Sequence, residues 1–145
     1  MIQTDDPIVV TTDRSRLDLD VIHEFLRRSY WARGIPRETV TRAMDNSLCF
    51  GAFEKDGQVG FARVVTDRAT FAYVSDVFVL DSHRGRGIGK RLMAAIMSHP
   101  ELQGVRRWTL FTRDAHGLYR QYGFGPARYP ERLMEVLSDP YEGGA

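Results

Sequence analysis

Hydrophobic positions along this chain switch between two periods, and the switch predicts the elements. Ile8-Val9-Val10 is a short apolar run suited to a strand. From Asp18 to Trp31, Leu19, Ile22, Phe25 and Leu26 recur at helical intervals, with Asp18 or Asp20 placed to cap the start. Gly34-Ile35-Pro36 breaks that helix, and Pro36 suits the first turn of a second, which runs to about Asn46. The period then shortens. Leu48–Phe53 and Val59–Val65 read as strands joined by a Lys55-Asp56-Gly57-Gln58 turn, and Thr70–Leu80 as a long strand rich in Val, Phe and Tyr. Lys90–Ser98 carries Leu92, Met93, Ile96 and Met97 on one helical side and stops before Pro100. Arg107–Thr112 is another strand, Asp114–Tyr122 a short helix closed by Gly123, and Arg132–Leu137 a last strand. Helices first, an antiparallel meander, then strand–loop–helix–strand make a mixed α/β domain.

The 145 residues provide for one domain, here taken as 1–145, with one core. Eight Phe, six Tyr and two Trp supply that core and exclude general disorder. No apolar run reaches the roughly 20 residues of a membrane span, and the acidic start MIQTDDPIVV does not read as a secretory signal. A net charge of +1 argues against nucleic acid as a partner, although 18 of the 20 basic residues are arginines, which suit anion recognition. The single cysteine, Cys49, rules out an intrachain disulfide, sits as a small side chain in a strand, and fits a reducing cytoplasm. His83, His99 and His116 stand in no ligand spacing, so no metal is expected.

The most informative stretch joins a buried strand to an amphipathic helix through Arg84-Gly85-Arg86-Gly87-Ile88-Gly89-Lys90. Glycines admit positive φ and leave backbone N–H groups unobstructed. The first helical turn adds unpaired N–H groups and a favourable dipole, so the junction is an anion cradle suited to a phosphate or diphosphate. Arg84, Arg86 and Lys90 add formal charge. The loop is not a Walker motif, because Arg84 and Arg91 occupy its glycine and Ser/Thr positions. It is not the dinucleotide fingerprint either, because Lys90 stands where the third glycine belongs.

Arg-x-x-Gly-x-Gly after Val77-Phe78-Val79, carried by Arg84, Gly87 and Gly89, resembles the coenzyme A loop of the GNAT N-acetyltransferases. A second segment, Ala115 to Phe124 with Leu118, Tyr119 and Gly123 in register, resembles that family's Ala-x-x-Leu-Tyr-x-x-x-Gly-Phe stretch. The resemblance covers about Pro7 to Leu137. It implies the GNAT fold: a mixed, mostly antiparallel sheet with a central splayed pair of parallel strands, flanked by helices. It implies acetyl transfer from acetyl-CoA to a primary amine of a small molecule or protein, by direct attack in a ternary complex. The pantetheine arm would pair with Val77, Phe78 and Val79, and an N–H near Phe78 would polarise the thioester carbonyl. The diphosphate would rest on residues 84–90, Arg84, Gly85, Arg86, Gly87, Ile88, Gly89 and Lys90. Thr112 stands where the family often has an asparagine on the coenzyme side.

In the same frame Tyr119 matches the tyrosine that protonates the departing thiolate, with Tyr122 as its rival on the same helix. Asp76 matches a carboxylate that receives the amine's proton; the other reading of Asp76 is a salt bridge to Arg63. Ser75 would face the cleft if Asp76 does not, since neighbours in a strand alternate sides. Tyr30 and Trp31 could wall an acceptor pocket, or Trp31 could staple the two first helices together. Asp114 suits an N-cap. Two other functions fit less of the sequence: a non-catalytic acyl-CoA sensor, and a nucleic-acid binder using Arg84, Arg86, Lys90, Arg91, Arg106 and Arg107. Relatives are often homodimers, and the tail from Tyr129 to Tyr141 could contribute an interface.

Overall fold

A computed structural model describes residues 7–141. Strands β1 (Ile8–Thr11), β2 (Leu48–Glu54), β3 (Gly57–Thr66), β4 (Phe71–Val79) and β5 (Arg107–Leu110) form one sheet in sequential order. The first four pair antiparallel, and β4 pairs with β5 in parallel. Helices α1 (Leu19–Arg28) and α2 (Arg37–Asp45) cover one face, α3 (Ile88–Ser98) and the short α4 (His116–Arg120) the other. Strand alternation feeds both cores. Phe50, Ala62, Val64 and Val74 pack with Ile88, Leu92 and Ile96, while Cys49 and Phe61 pack with Ile22, Leu26 and Met44. Cys49 is buried there, and burial pushes its thiol up to about 11, which keeps it protonated and unreactive.

Local chemistry sets the element ends. Asp18, not Asp20, caps α1, its carboxylate accepting the N–H groups of Asp20 and Val21. The helix stops at Arg28, so Tyr30 and Trp31 lie in the turn that follows rather than on the helix. Pro36 is the residue before α2, and α3 starts two residues earlier than the apolar spacing indicates, at Ile88. Asp114 does not cap α4. The Thr112 hydroxyl does the equivalent work by accepting the Ala115 N–H at 3.0 Å.

Two departures from the sequence reading matter. Residues 132–137 form no strand: a single 3₁₀ turn, Pro130–Arg132, is followed by chain with no backbone hydrogen bond beyond Leu133 among the described residues. β-rich composition makes a strand only where a partner edge is in reach, and here none is taken up. The second departure is a bulge. Phe61 pairs with Phe78 but Arg63 pairs with Ser75, so two steps along β3 match three along β4. Asp76, at φ 54°, is the residue in the left-handed region where the extra step occurs. Short polar Asp tolerates that conformation better than most residues. The bulge inverts side-chain parity. Ala72 and Val74 face α3, yet after the bulge Val77 and Val79 face α3 and Phe78 faces α1. Pairing of β4 with β5 ends just before the bulge, at Val74 and Leu110. The parallel strands therefore diverge where the sequence carries Ser75 to Val79. Among the described residues, no helix is long and apolar enough to cross a membrane.

Candidate active site

The diverging strands open a cleft of about 830 Å³ between α1 and the α3–α4 side. Its floor is Val77, Phe78 and Val79, one end is Arg84, Gly85, Gly87, Ile88 and Gly89, and Tyr119 stands among the walls with Tyr30 and Trp31. Most sequence-predicted coenzyme residues thus come together. At the glycine end, Gly85 and Gly87 have φ of 79° and 75°, and a Cβ built on either meets nothing within 4 Å. The backbone there needs glycine for its conformation and leaves open space beside both glycines, at the start of an 11-residue helix.

Three predicted residues lie elsewhere. Arg86 turns back to β2, its Nη2 donating to Glu54 at 2.7 Å, and His83 Nε2 reaches the same carboxylate at 2.9 Å. The Arg86 guanidinium, then His83, hold Glu54 well below the usual range, at about 2. Arg86 thus ties the loop to the sheet rather than adding charge to the cradle. Lys90 is exposed outside the cleft, and Thr112 is committed to the turn before α4.

Tyr119 is buried against Ala115, Leu118 and Phe124, with the Phe124 ring edge-on at 6.1 Å. Burial pushes its phenol up to about 12, with Tyr30 and Asp114 adding to the shift, so it stays protonated across the working pH range. The rival, Tyr122, points away: its hydroxyl donates to the Lys90 carbonyl at 2.9 Å and braces α4 on α3.

At the other side of Trp31 lies a second pocket, of about 300 Å³. Leu26, Ile35, Val40 and Met44 give it apolar walls, and Arg63, Tyr73, Ser75 and Asp76 give it a polar edge. Ser75 and Asp76 both line this smaller pocket, because the bulge defeats strand alternation, and neither lines the larger cleft; the expectation that one of the two would face the cleft is corrected here. Asp76 is not a free base. One oxygen accepts the Trp31 indole N–H at 2.9 Å, and the other accepts Arg63 Nε at 2.9 Å. Both ion-pair side chains are nearly buried, 16% and 9% exposed. Arg63 is held further by Ser47 and Ser75. Trp31 lines both the cleft and the smaller pocket, and its indole is pinned to the strand bulge rather than stapling the two first helices together.

Sequence reasoning missed the rest of this wall. Phe25 stacks on Phe78 with centroids 4.0 Å apart, and the Arg113 guanidinium lies 3.7 Å over the Tyr30 ring. Phe25 stood in the apolar stripe of α1 but its partner depends on the bulge, and nothing local marks Arg113. Tyr141 closes the outer side of the smaller pocket.

The ion pair yields a prediction. Asp76→Asn keeps a residue that tolerates positive φ and keeps an acceptor for Trp31, but leaves Arg63 an unpaired, nearly buried cation. Urea unfolding should show a loss of roughly 3 kcal/mol. A loss within the ordinary range of surface substitutions, about 0.5 kcal/mol, would show that the pair does not hold the bulge.

A glycine cradle, a freed strand edge and a buried phenol on one cleft are the frame against which comparison with known proteins is informative. Residues 45–126 match the family model described as an acetyltransferase (GNAT) domain. The chain belongs to the GNAT family. It is an acetyltransferase, and its sheet, with the splayed parallel pair, is the GNAT fold. A Gibberella zeae protein named as an acetyltransferase is 31% identical over 77% of this chain and 75% of its own length. A crystal structure from Xanthomonas campestris pv. campestris, assigned to the same family, is 53% identical, covers 95% of this chain and 97% of its own, and superposes with a TM-score of 0.90. A more distant structure, a GNAT acetyltransferase from Elizabethkingia anophelis with acetyl-CoA bound, is 12% identical with a TM-score of 0.65 over 94% of this chain and 92% of its own. The matched GNAT span takes in the bulge, the loop and Tyr119 but leaves out α1 and α2, the walls of the smaller pocket.

Proposed function

We propose that this one-domain protein transfers the acetyl group of acetyl-CoA to a primary amine by direct attack, with acetyl-CoA in the larger cleft and the amine's body in the pocket beyond Trp31. One observation carries the reading: the glycine cradle and Tyr119 share a cleft whose floor is strand edge freed by the Asp76 bulge. The diphosphate sits on the amides around Gly85, Gly87 and Gly89, with Arg84 at its side. The pantetheine arm pairs with the backbone of Val77–Val79, a case of strand addition. An N–H near Phe78 stabilises the developing oxyanion.

The amine gives one proton to water before attack. It then adds to the thioester carbonyl, the C–S bond breaks, and the second nitrogen proton ends on sulfur. Tyr119 serves the departure as a hydrogen-bond donor. Free thiols titrate near 8.5, so full transfer from a phenol at about 12 is uphill by roughly 5 kcal/mol. A hydrogen bond carries no such penalty. Asp76 acts as a positioning group, holding Trp31 and the bulge, rather than as the base. The pocket beyond Trp31 carries the Arg63–Asp76 pair as its only charges, with the hydroxyls of Thr39, Tyr73 and Ser75 beside apolar walls, so it admits a small amine, or an amine side chain of a protein, with an uncharged body.

The test is release of free CoA thiol from acetyl-CoA over a panel of primary amines. Amine-dependent release supports the reading. Binding of acetyl-CoA with no release for any amine contradicts it.

A further inference from the structure

The glycine loop is held by a group outside the cleft it lines. Between Leu80, whose N–H reaches the Val59 carbonyl at 2.8 Å, and the start of α3, no backbone hydrogen bond joins the loop to the sheet among the described residues. Gly85 and Gly87 add no side chain to hold it. An anion site nevertheless needs its amides in a set geometry. The N–H groups from Gly87 to Lys90 donate to no backbone carbonyl among the described residues, as in any first helical turn. The loop's side chains divide. Ser82, Arg84, Gly85 and Gly87 line the cleft, whereas His83 and Arg86 do not and turn to the sheet. Both end on one carboxylate: His83 Nε2 donates to Glu54 Oε1 at 2.9 Å, and Arg86 Nη2 to Oε2 at 2.7 Å.

Glu54 is firmly mounted for such a task. It is the last residue of β2, in register with Ile8 on one side and Gly57 on the other, and it does not line the cleft. An ionised carboxylate only accepts, so His83 donates from Nε2, and its Nδ1 shares a 2.7 Å hydrogen bond with the Ser82 hydroxyl. One arm therefore runs from Glu54 through His83 to Ser82 at the cleft wall. The other runs through Arg86 to the backbone between the two left-handed glycines. The low titration of Glu54, at about 2, keeps this acceptor charged across the working pH range. Granted acetyl-CoA in the larger cleft, as the preceding section reads it, we propose that Glu54 is a positioning residue for coenzyme binding: through His83 and Arg86 it fixes both sides of the glycine loop, and so the amides that take the diphosphate, without touching the coenzyme. Arg86 then serves the diphosphate through the shape of the loop and not through its charge, which Glu54 neutralises.

Calorimetric titration of acetyl-CoA into the wild type, Glu54→Ala, Arg86→Ala, His83→Ala and the Glu54→Ala/Arg86→Ala double variant tests this. Glu54→Ala should raise the dissociation constant about 10-fold, while kcat at saturating acetyl-CoA stays within about 3-fold, because displaced amides cost coenzyme binding and the reacting end is untouched. Arg86→Ala and His83→Ala each open one arm and should cost about 3-fold in affinity; they test the same clamp if circular dichroism shows Glu54→Ala unfolded. Removing Arg86 from Glu54→Ala should add little, since its partner is already gone. Unchanged affinity in folded Glu54→Ala, or in both single-arm variants, overturns the clamp and leaves the cleft assignment standing. Losses from Glu54→Ala and Arg86→Ala that simply add also overturn it, and give Arg86 a direct bond to the diphosphate. So does a fall in kcat as large as the fall in affinity, the mark of a general disturbance. A wild type that binds no acetyl-CoA overturns the clamp and the cleft assignment together.

Discussion

Tyr119→Phe is expected to lower turnover by about 10²–10⁴-fold while leaving acetyl-CoA affinity within a few-fold. The ring keeps its packing against Phe124 and loses only its hydroxyl, so the fold has no reason to change. What disappears is the donor that meets charge on the departing sulfur, an interaction made in the transition state and not in the ground state. The pH dependence follows from the sign of the shift. Burial raises the phenol to about 12, so its proton is present below that pH and is lost only above it. The wild-type rate should therefore climb as the amine loses its proton and show no fall from Tyr119 through pH 10. In the Phe variant the climb should remain, at a lower level. Equal turnover in both proteins, measured with a productive amine, would remove Tyr119 from the leaving-group end.

The second large effect is expected at the other end of the cleft. Gly87→Val should weaken acetyl-CoA binding by about 100-fold or more. Two causes combine. A β-branched residue at φ 75° pays the left-handed penalty of roughly 1–2 kcal/mol. Its side chain also projects into the open space over the cradle amides, where no protein atom lies within 4 Å. Gly104→Val separates the two. Gly104 has φ 84° and equally open surroundings, but it lies in the approach to β5 and outside the cleft. It should lose similar stability and bind acetyl-CoA normally. Equal loss of binding in both variants would assign the effect to backbone strain alone.

The coenzyme half of the site was legible in the sequence because its function is carried by backbone. A glycine pattern at a strand–helix junction states its own geometry, and Tyr119 is fixed by its place on a short helix closed by Gly123. The acceptor half was less legible for a definite reason. One residue in the left-handed region, Asp76, reverses the sides faced by everything after it in β4, and alternation carries no warning of this. Ser75 and Asp76 therefore share a pocket, Phe78 meets Phe25 on the α1 face of the sheet, and Trp31 finds a carboxylate 45 positions away. Of the two readings open for Asp76, the salt bridge to Arg63 is the one the structure contains. Arg86 misled in another way. A charge beside a phosphate cradle reads as a ligand, but a carboxylate at Glu54, distant in sequence, competes for it. The tail misled through composition, since its β-forming residues are present without a partner edge in their own copy.

The most direct test of the central claim is a crystal structure of the protein with acetyl-CoA. The account predicts diphosphate oxygens within hydrogen-bond distance of the amides between Gly85 and Gly89, the pantetheine arm along Val77–Val79, and the sulfur beside the Tyr119 hydroxyl. Ordered acetyl-CoA outside this cleft, or a sulfur with Tyr119 turned away from it, would contradict the account.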